Sequence, residues 1–148
     1  MADYDPSRAI TRRIMGIETE YGIACIDRTG SSPRAADEVA RLAFRPLVDE
    51  YNSTNVFISN AGRLYLDVGS HPEFATPECD SVSQIVTYEQ AGDRIVTDLA
   101  TRVEERIAAE DGNGAGVYMF KNNSDSSGSS YGCHENYLVG RDVSVKKL

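Results

Sequence analysis

Only three cysteines, Cys25, Cys79 and Cys133, occur in the 148 residues, and no two are near each other in sequence. That spacing excludes a disulfide framework and a Cys-x-x-Cys metal site, and leaves buried reduced thiols as the expectation. Cys133 precedes His134, but neighbours in a strand point to opposite faces, so the pair is poorly placed to form a nucleophile and its base. No apolar run approaches the ~20 residues of a membrane span. The opening MADYDPSRAIT lacks the apolar core of a signal peptide. The expectation is a cytoplasmic protein with no membrane contact. Basic residues are scarce, 15 against 23 acidic, for a formal net charge of −8. A general nucleic-acid binder needs a basic surface, so that class is excluded; a nucleotide, which one arginine and a metal can hold, is not. A Gly-x-x-x-x-Gly-Lys-Ser/Thr signature is absent, which excludes a P-loop. There is no internal repeat.

What is present reads as one globular domain. Hydrophobic residues make up 41%, and the length suffices for a packed core. Residues 1–11 read as a flexible lead-in. RRIMGIETEYGIACI reads as a strand with Ile17, Thr19, Tyr21 and Ile23 on one face and Glu18 and Glu20 on the other. Ser32-Pro33 suits an N-cap and first helical position, ahead of a helix with Val39, Leu42, Ala43 and Leu47 at helical spacing; Pro46 is expected to bend or end it. Two short strands, NVFISN and RLYLDV, flank an Asn60-Ala61-Gly62 turn. GSHPEFATPECD reads as a loop. A long helix follows, capped by Asp80, Ser81 or Ser83, striped by Ile85, Tyr88, Ile95, Leu99, Val103 and Ile107, and weakened or split at Gly92. DGNGAG ends it. VYMFKNN and YGCHENYLVG are the last strands, joined by a polar SDSSGSS loop; the terminal Lys146-Lys147 pair is a solvated tail. The expected fold class is α+β, a mainly antiparallel sheet with helices on its apolar face.

GRLYLDVGSHPE carries the chemistry. Leu64, Leu66 and Val68 alternate with Arg63, Tyr65 and Asp67, so one face of the strand is aliphatic and the other holds a guanidinium, a phenol and a carboxylate. A sheet with one solvated face explains the alternation alone, yet His71 and Glu73 continue the polar chemistry past the strand's end. With Glu18 and Glu20, several carboxylates share that face and repel one another. Magnesium fits such a site, because it takes oxygen ligands, one or two carboxylates plus phosphate and water. Glu18, Glu73 and the Tyr65 oxygen suit the metal, Arg63 suits a phosphate, and Thr76 adds a hydroxyl. Glu20 reads as a solvated or salt-bridged strand residue and His71 as a shaper of the turn.

The stretches RRIMGIETEYG, NVFISNAGRLYLDVGSHPEFATPECD and FKNNSDSSGSSYGCHENYLVGR resemble, in order over residues 12–141, the N-terminal part of Pup–protein ligases, relatives of glutamine synthetase. The resemblance implies that residues 12–148 are the N-terminal part of a glutamine synthetase-like catalytic domain. It also implies an ATP- and Mg2+-dependent reaction, in which the C-terminal glutamate side chain of Pup, a small disordered protein tag, is phosphorylated. A substrate lysine then attacks the acyl phosphate, and the isopeptide bond marks the substrate for proteasomal degradation. By matching motifs it implies that Asp67 is the base, that Glu18, Tyr65 and Glu73 bind magnesium, and that Arg63 and Thr76 contact ATP. His134 and Asn136 resemble polar pairs that line active-site sheets in the wider superfamily.

Two other readings stand beside this one. The sister Pup deamidases and depupylases typically open with Gly-Thr-Glu-Val-Glu and carry a long insertion before the Arg-x-Tyr strand; this chain has GIETE and a short connection. Family ligases are also longer and use a tryptophan as a nucleotide contact, whereas this chain has no Trp. A truncated, non-catalytic fragment is therefore the third reading.

Overall fold

A computed structural model describes residues 14–112, 114–121, 124, 128 and 130–139. The lead-in at 1–11, most of the polar loop around 122–129 and the tail with Lys146 and Lys147 lie outside the described residues. Within them, five strands form one sheet: β1 (Ile14–Glu20), β3 (Asn55–Phe57), β4 (Arg63–Leu66), β5 (Pro72–Ala75) and β7 (Cys133–Leu138). Their order across the sheet is β3-β4-β5-β1-β7, and every pairing is antiparallel. β2 (Gly22–Ile26) and β6 (Gly116–Phe120) make a separate antiparallel ribbon. Helices α1 (Ala36–Tyr51) and α2 (Val82–Asp111) complete the fold, which is the expected α+β class.

The apolar halves of these elements form one core. Val39, Ala43, Phe44 and Leu47 of α1 meet Val96, Leu99, Val103 and Ile107 of α2, with Leu64, Phe74 and Ile23 from the strands. Two positions of the expected α2 stripe, Tyr88 and Ile95, sit at its margin, while Gly92, Val96 and Ala100 are buried. Cys25 and Cys79 are buried free thiols as expected; Cys133 is exposed, contrary to expectation.

Several local expectations are corrected. The single strand over 12–26 is two strands in two sheets. Tyr21 marks the break: its N–H donates to the Pro72 carbonyl at 2.8 Å, and its buried phenol donates to Asp93 on α2 at 2.9 Å. Thr19 donates to Glu89 one turn earlier at 2.8 Å, so one side chain of β1 and one just after it are tied to α2. Ser32 does not cap α1. The helix begins at Ala36 after an extended Ala35 without a side-chain cap, because Arg34 is drawn between Glu38 and the carboxylates of Glu110 and Asp111 at the end of α2. Pro46 does not end α1, which runs on to Tyr51 and stops at a left-handed Asn52. Ser81 is the α2 cap, accepting from the Gln84 N–H, and Gly92 does not split the helix.

The loop expected at GSHPEFATPECD contains β5, which lies mid-sheet between β4 and β1. Pro72 hides it in the sequence. A proline is tolerated there because it opens the strand, where the missing N–H breaks no interior ladder bond.

Candidate active site

Register turns the alternation into rows. Residues paired across antiparallel strands share a face. One row runs Asn55–Tyr65–Glu73–Glu20 and the next Phe57–Arg63–Ala75–Glu18–His134. Glu18, Arg63, Tyr65 and Glu73, expected together from sequence, therefore stand on one face. Asp67 follows β4 in a tight turn, where its N–H donates to the His71 carbonyl at 3.0 Å and its own carbonyl accepts from Ser70 at 3.0 Å. Ser70 and Gly69 take positive φ to close that turn. His71 thus shapes the turn, as expected, and also places Nδ1 3.7 Å from Glu20.

The site is short of positive charge. Glu73 is 3% exposed, and its Oε1 has no hydrogen-bond partner among the described residues; nor does the buried Tyr65 hydroxyl opposite it. Burial, then the charges of Asp67, Glu20 and Glu18, push the Glu73 carboxyl up to about 8, with His134 opposing. Arg63 does not neutralise it. Its guanidinium lies over the Tyr65 ring, 4.2 Å from the centroid, and Nε donates to Asn55 at 2.8 Å. Two orphaned oxygens on residues paired in register, with the charges of Asp67, Glu20 and Glu18 near Glu73, suit a hard cation. Among the described residues no three His, Cys, Asp or Glu side chains are grouped so as to hold a metal ion by themselves.

Beside these rows runs a groove of about 560 Å3 lined by Glu18, Arg63 and Thr76 together with Phe57, Gly16 and Asn136. The Thr76 hydroxyl accepts the Ile17 N–H at 3.0 Å. Glu20, expected as a solvated or salt-bridged strand residue, is directly opposite Glu73, accepts from the Gly132 N–H at 2.9 Å and lies 3.7 Å from His71 Nδ1. His134, expected by resemblance to line such a sheet, lies across from Glu18, with Nδ1 3.2 Å from its Oε2. Sequence reasoning missed Phe57, which lies opposite Arg63 and could not be placed without the register.

A model of the Pup-ligase protein family matches residues 13–148. The chain belongs to this family. It is 58% identical over 148 residues to the Pup–protein ligase of Corynebacterium diphtheriae, covering all of this chain and 30% of that relative. To the Corynebacterium efficiens ligase it is 61% identical over 140 residues, 95% of this chain and 28% of the relative. In a solved complex of Pup with its ligase PafA, the ligase superposes with a TM-score of 0.87 at 56% identity, over 93% of this chain and 27% of that one. A PafA structure in complex with ADP matches with a TM-score of 0.59 at 52% identity, over 97% of this chain and 29% of that one. The chain thus spans less than a third of the relatives it matches.

Proposed function

We propose that this chain supplies the metal- and nucleotide-binding sheet of an ATP-dependent Pup–protein ligase of the cytoplasm. The observation that carries the reading is the pair of buried, unpartnered oxygens, Tyr65 hydroxyl and Glu73 Oε1, beside Arg63 at the mouth of a groove of nucleotide size. Membership of the family and the ADP bound to a relative support it. Magnesium, held by Glu18, Tyr65 and Glu73, would supply charge neutralisation for the polyphosphate. Arg63, freed from Asn55, binds phosphate through its planar fork, and Thr76 contacts the nucleotide from the groove wall. The Pup glutamate oxygen attacks the γ-phosphorus and ADP leaves. The substrate lysine nitrogen then attacks the acyl carbon, phosphate leaves, and Asp67 accepts the proton the nitrogen sheds.

The test uses a ligase of full family length built on this sequence, given Pup, a lysine-bearing protein and Mg-ATP. The expected products are an isopeptide-linked conjugate, ADP and phosphate. Ammonia from a Pup ending in glutamine, without conjugate, would instead point to the sister deamidase chemistry. Failure of this sequence to bind Mg-ATP at all would favour a non-catalytic piece.

Glu73 makes metal binding pH-linked. Its folded value of about 8 lies above the ordinary 4.5. Between those values the folded, metal-free protein holds more protons than the unfolded chain, so its stability falls as pH rises through that window. A cation must displace the proton. Magnesium titration at pH 7 is therefore expected to release most of one proton, read by calorimetry in buffers of different ionisation enthalpy. Release should vanish in Glu73→Gln; proton-neutral binding by the unaltered protein would contradict the assignment of Glu73.

A further inference from the structure

Asp67 opens the turn between β4 and β5. The tip of that turn is open to solvent, with Val68 89% exposed, and Gly69 and Ser70 both take positive φ. Its two backbone hydrogen bonds, Asp67 N–H to the His71 carbonyl and Ser70 N–H to the Asp67 carbonyl, close on the turn itself. They set its shape and leave its height over the sheet to other contacts. The His71 side chain makes two of them. Its ring centroid lies 4.9 Å from that of Tyr131, the planes tilted by 41°, and Nδ1 lies 3.7 Å from Glu20 Oε2.

Tyr131 is itself fixed from behind. The next residue, Gly132, donates its N–H to Glu20 Oε2 at 2.9 Å and accepts the Glu20 N–H at its carbonyl, also at 2.9 Å. The Tyr131 ring lies against Gly22, where an added Cβ would come within 3.3 Å of Cε1 and Cζ. Glycine at the start of β2 therefore leaves the ring room to pack close. Residues 20–22, 67–71 and 131–132 meet here from three distant parts of the chain.

We infer that Tyr131 is a positioning residue for lysine transfer: its ring, packed on His71, holds the turn that carries Asp67. The inference rests on the reading of Asp67 as proton acceptor proposed above. A proton acceptor works only within hydrogen-bond reach of the nitrogen it serves, and a misplacement of about 1 Å can cost about 100-fold in rate. Asp67 and His71 are joined through backbone, so a shift of the His71 ring moves the carboxylate. The Tyr131 ring packs on Gly22 and His71, neither of which is assigned to metal or phosphate. Its loss therefore strikes the second half of the reaction and spares the first.

The test uses the same full-length ligase. Tyr131→Ala is expected to slow conjugate formation by about tenfold or more. Mg-ATP affinity, and the ADP burst formed with Pup before a lysine-bearing protein is added, should stay within about twofold. Tyr131→Phe keeps the ring and should restore conjugation. In an Asp67→Asn background, Tyr131→Ala should cost less than about twofold further, because changes that act through one group are not additive. His71→Ala removes the other ring but keeps the carbonyl that holds Asp67, and should reproduce the loss; it decides the matter if Tyr131→Ala melts below the assay temperature. Normal conjugation by both alanine variants would overturn the inference while the Asp67 reading stands. So would parallel losses of ATP affinity and ADP burst, or a full further loss in the Asp67→Asn background. Near-normal conjugation by Asp67→Asn alone would overturn the Asp67 reading, and the role of Tyr131 with it.

Discussion

Replacing Asp67 with asparagine is expected to abolish isopeptide formation while leaving nucleotide binding nearly intact. The residue comes directly after β4 and is held in a turn by the His71 carbonyl. It is close enough to Glu73 to raise that carboxyl. Thermodynamics limits what a carboxylate can do for a lysine. Free aspartate and lysine side chains differ by about 6.5 pKa units, roughly 9 kcal/mol, so direct deprotonation of a resting ammonium is closed. The proton becomes transferable only as the nitrogen bonds to the acyl carbon, when its acidity rises steeply. Asp67 then orients the incoming amine and accepts the proton during attack. Asparagine keeps the volume and loses both charge and basicity. Ligation should fall by at least ~100-fold, the scale of a lost general base. Nucleotide affinity should hold nearly unchanged, since the proposed metal and phosphate contacts, Glu18, Tyr65, Glu73, Arg63 and Thr76, all remain in the variant. Near-normal ligation by the variant would remove Asp67 from the reaction.

Gly92→Ala is expected to destabilise the protein, against the sign that helix propensity assigns. Alanine in a helix interior is favoured over glycine by about 1 kcal/mol. Here the helix passes directly over Phe74, a fully buried residue of β5. A Cβ at Gly92 would overlap the ring, 2.7 Å from Cε1 and 2.8 Å from Cγ and closer still to Cδ1. The ring has little room to retreat, because the Gly62 backbone packs against its other side so closely that a Cβ added there would lie 2.7 Å from Cε2 and Cζ. Overpacking of this kind costs about 1–3 kcal/mol, which for a domain of this size lowers the melting temperature by about 2–4 °C per kcal/mol. Phe74 separates Glu73 from Ala75 on β5, so a displaced ring also displaces the carboxylate, and magnesium affinity should fall with stability. Phe74→Leu in the Gly92→Ala background should recover part of the loss. A variant that melts higher than the unaltered protein would show that the helix, not the ring, yields.

Local pattern was enough to read part of the site. Arg63 and Tyr65 share a face because a strand repeats every two residues, and Glu18 joins them because its own strand alternates in the same way. The α+β class, the Asn60-Ala61-Gly62 turn and the extent of α2 follow from periodicity and caps whose causes lie within a few residues. Family resemblance then attached roles to the same side chains. Pairing partners lie beyond any local rule. Whether Pro72–Ala75 is a loop or a central strand depends on β1, over 50 residues earlier in the chain, arriving on the side of it away from β4. Whether Glu20 faces Glu73, and Phe57 faces Arg63, depends on register, and a one-residue slip would turn each to the other side. Gly92 shows the same division: by propensity it is a weak point in a helix, and only the approach of Phe74 across the core makes it the residue that fits.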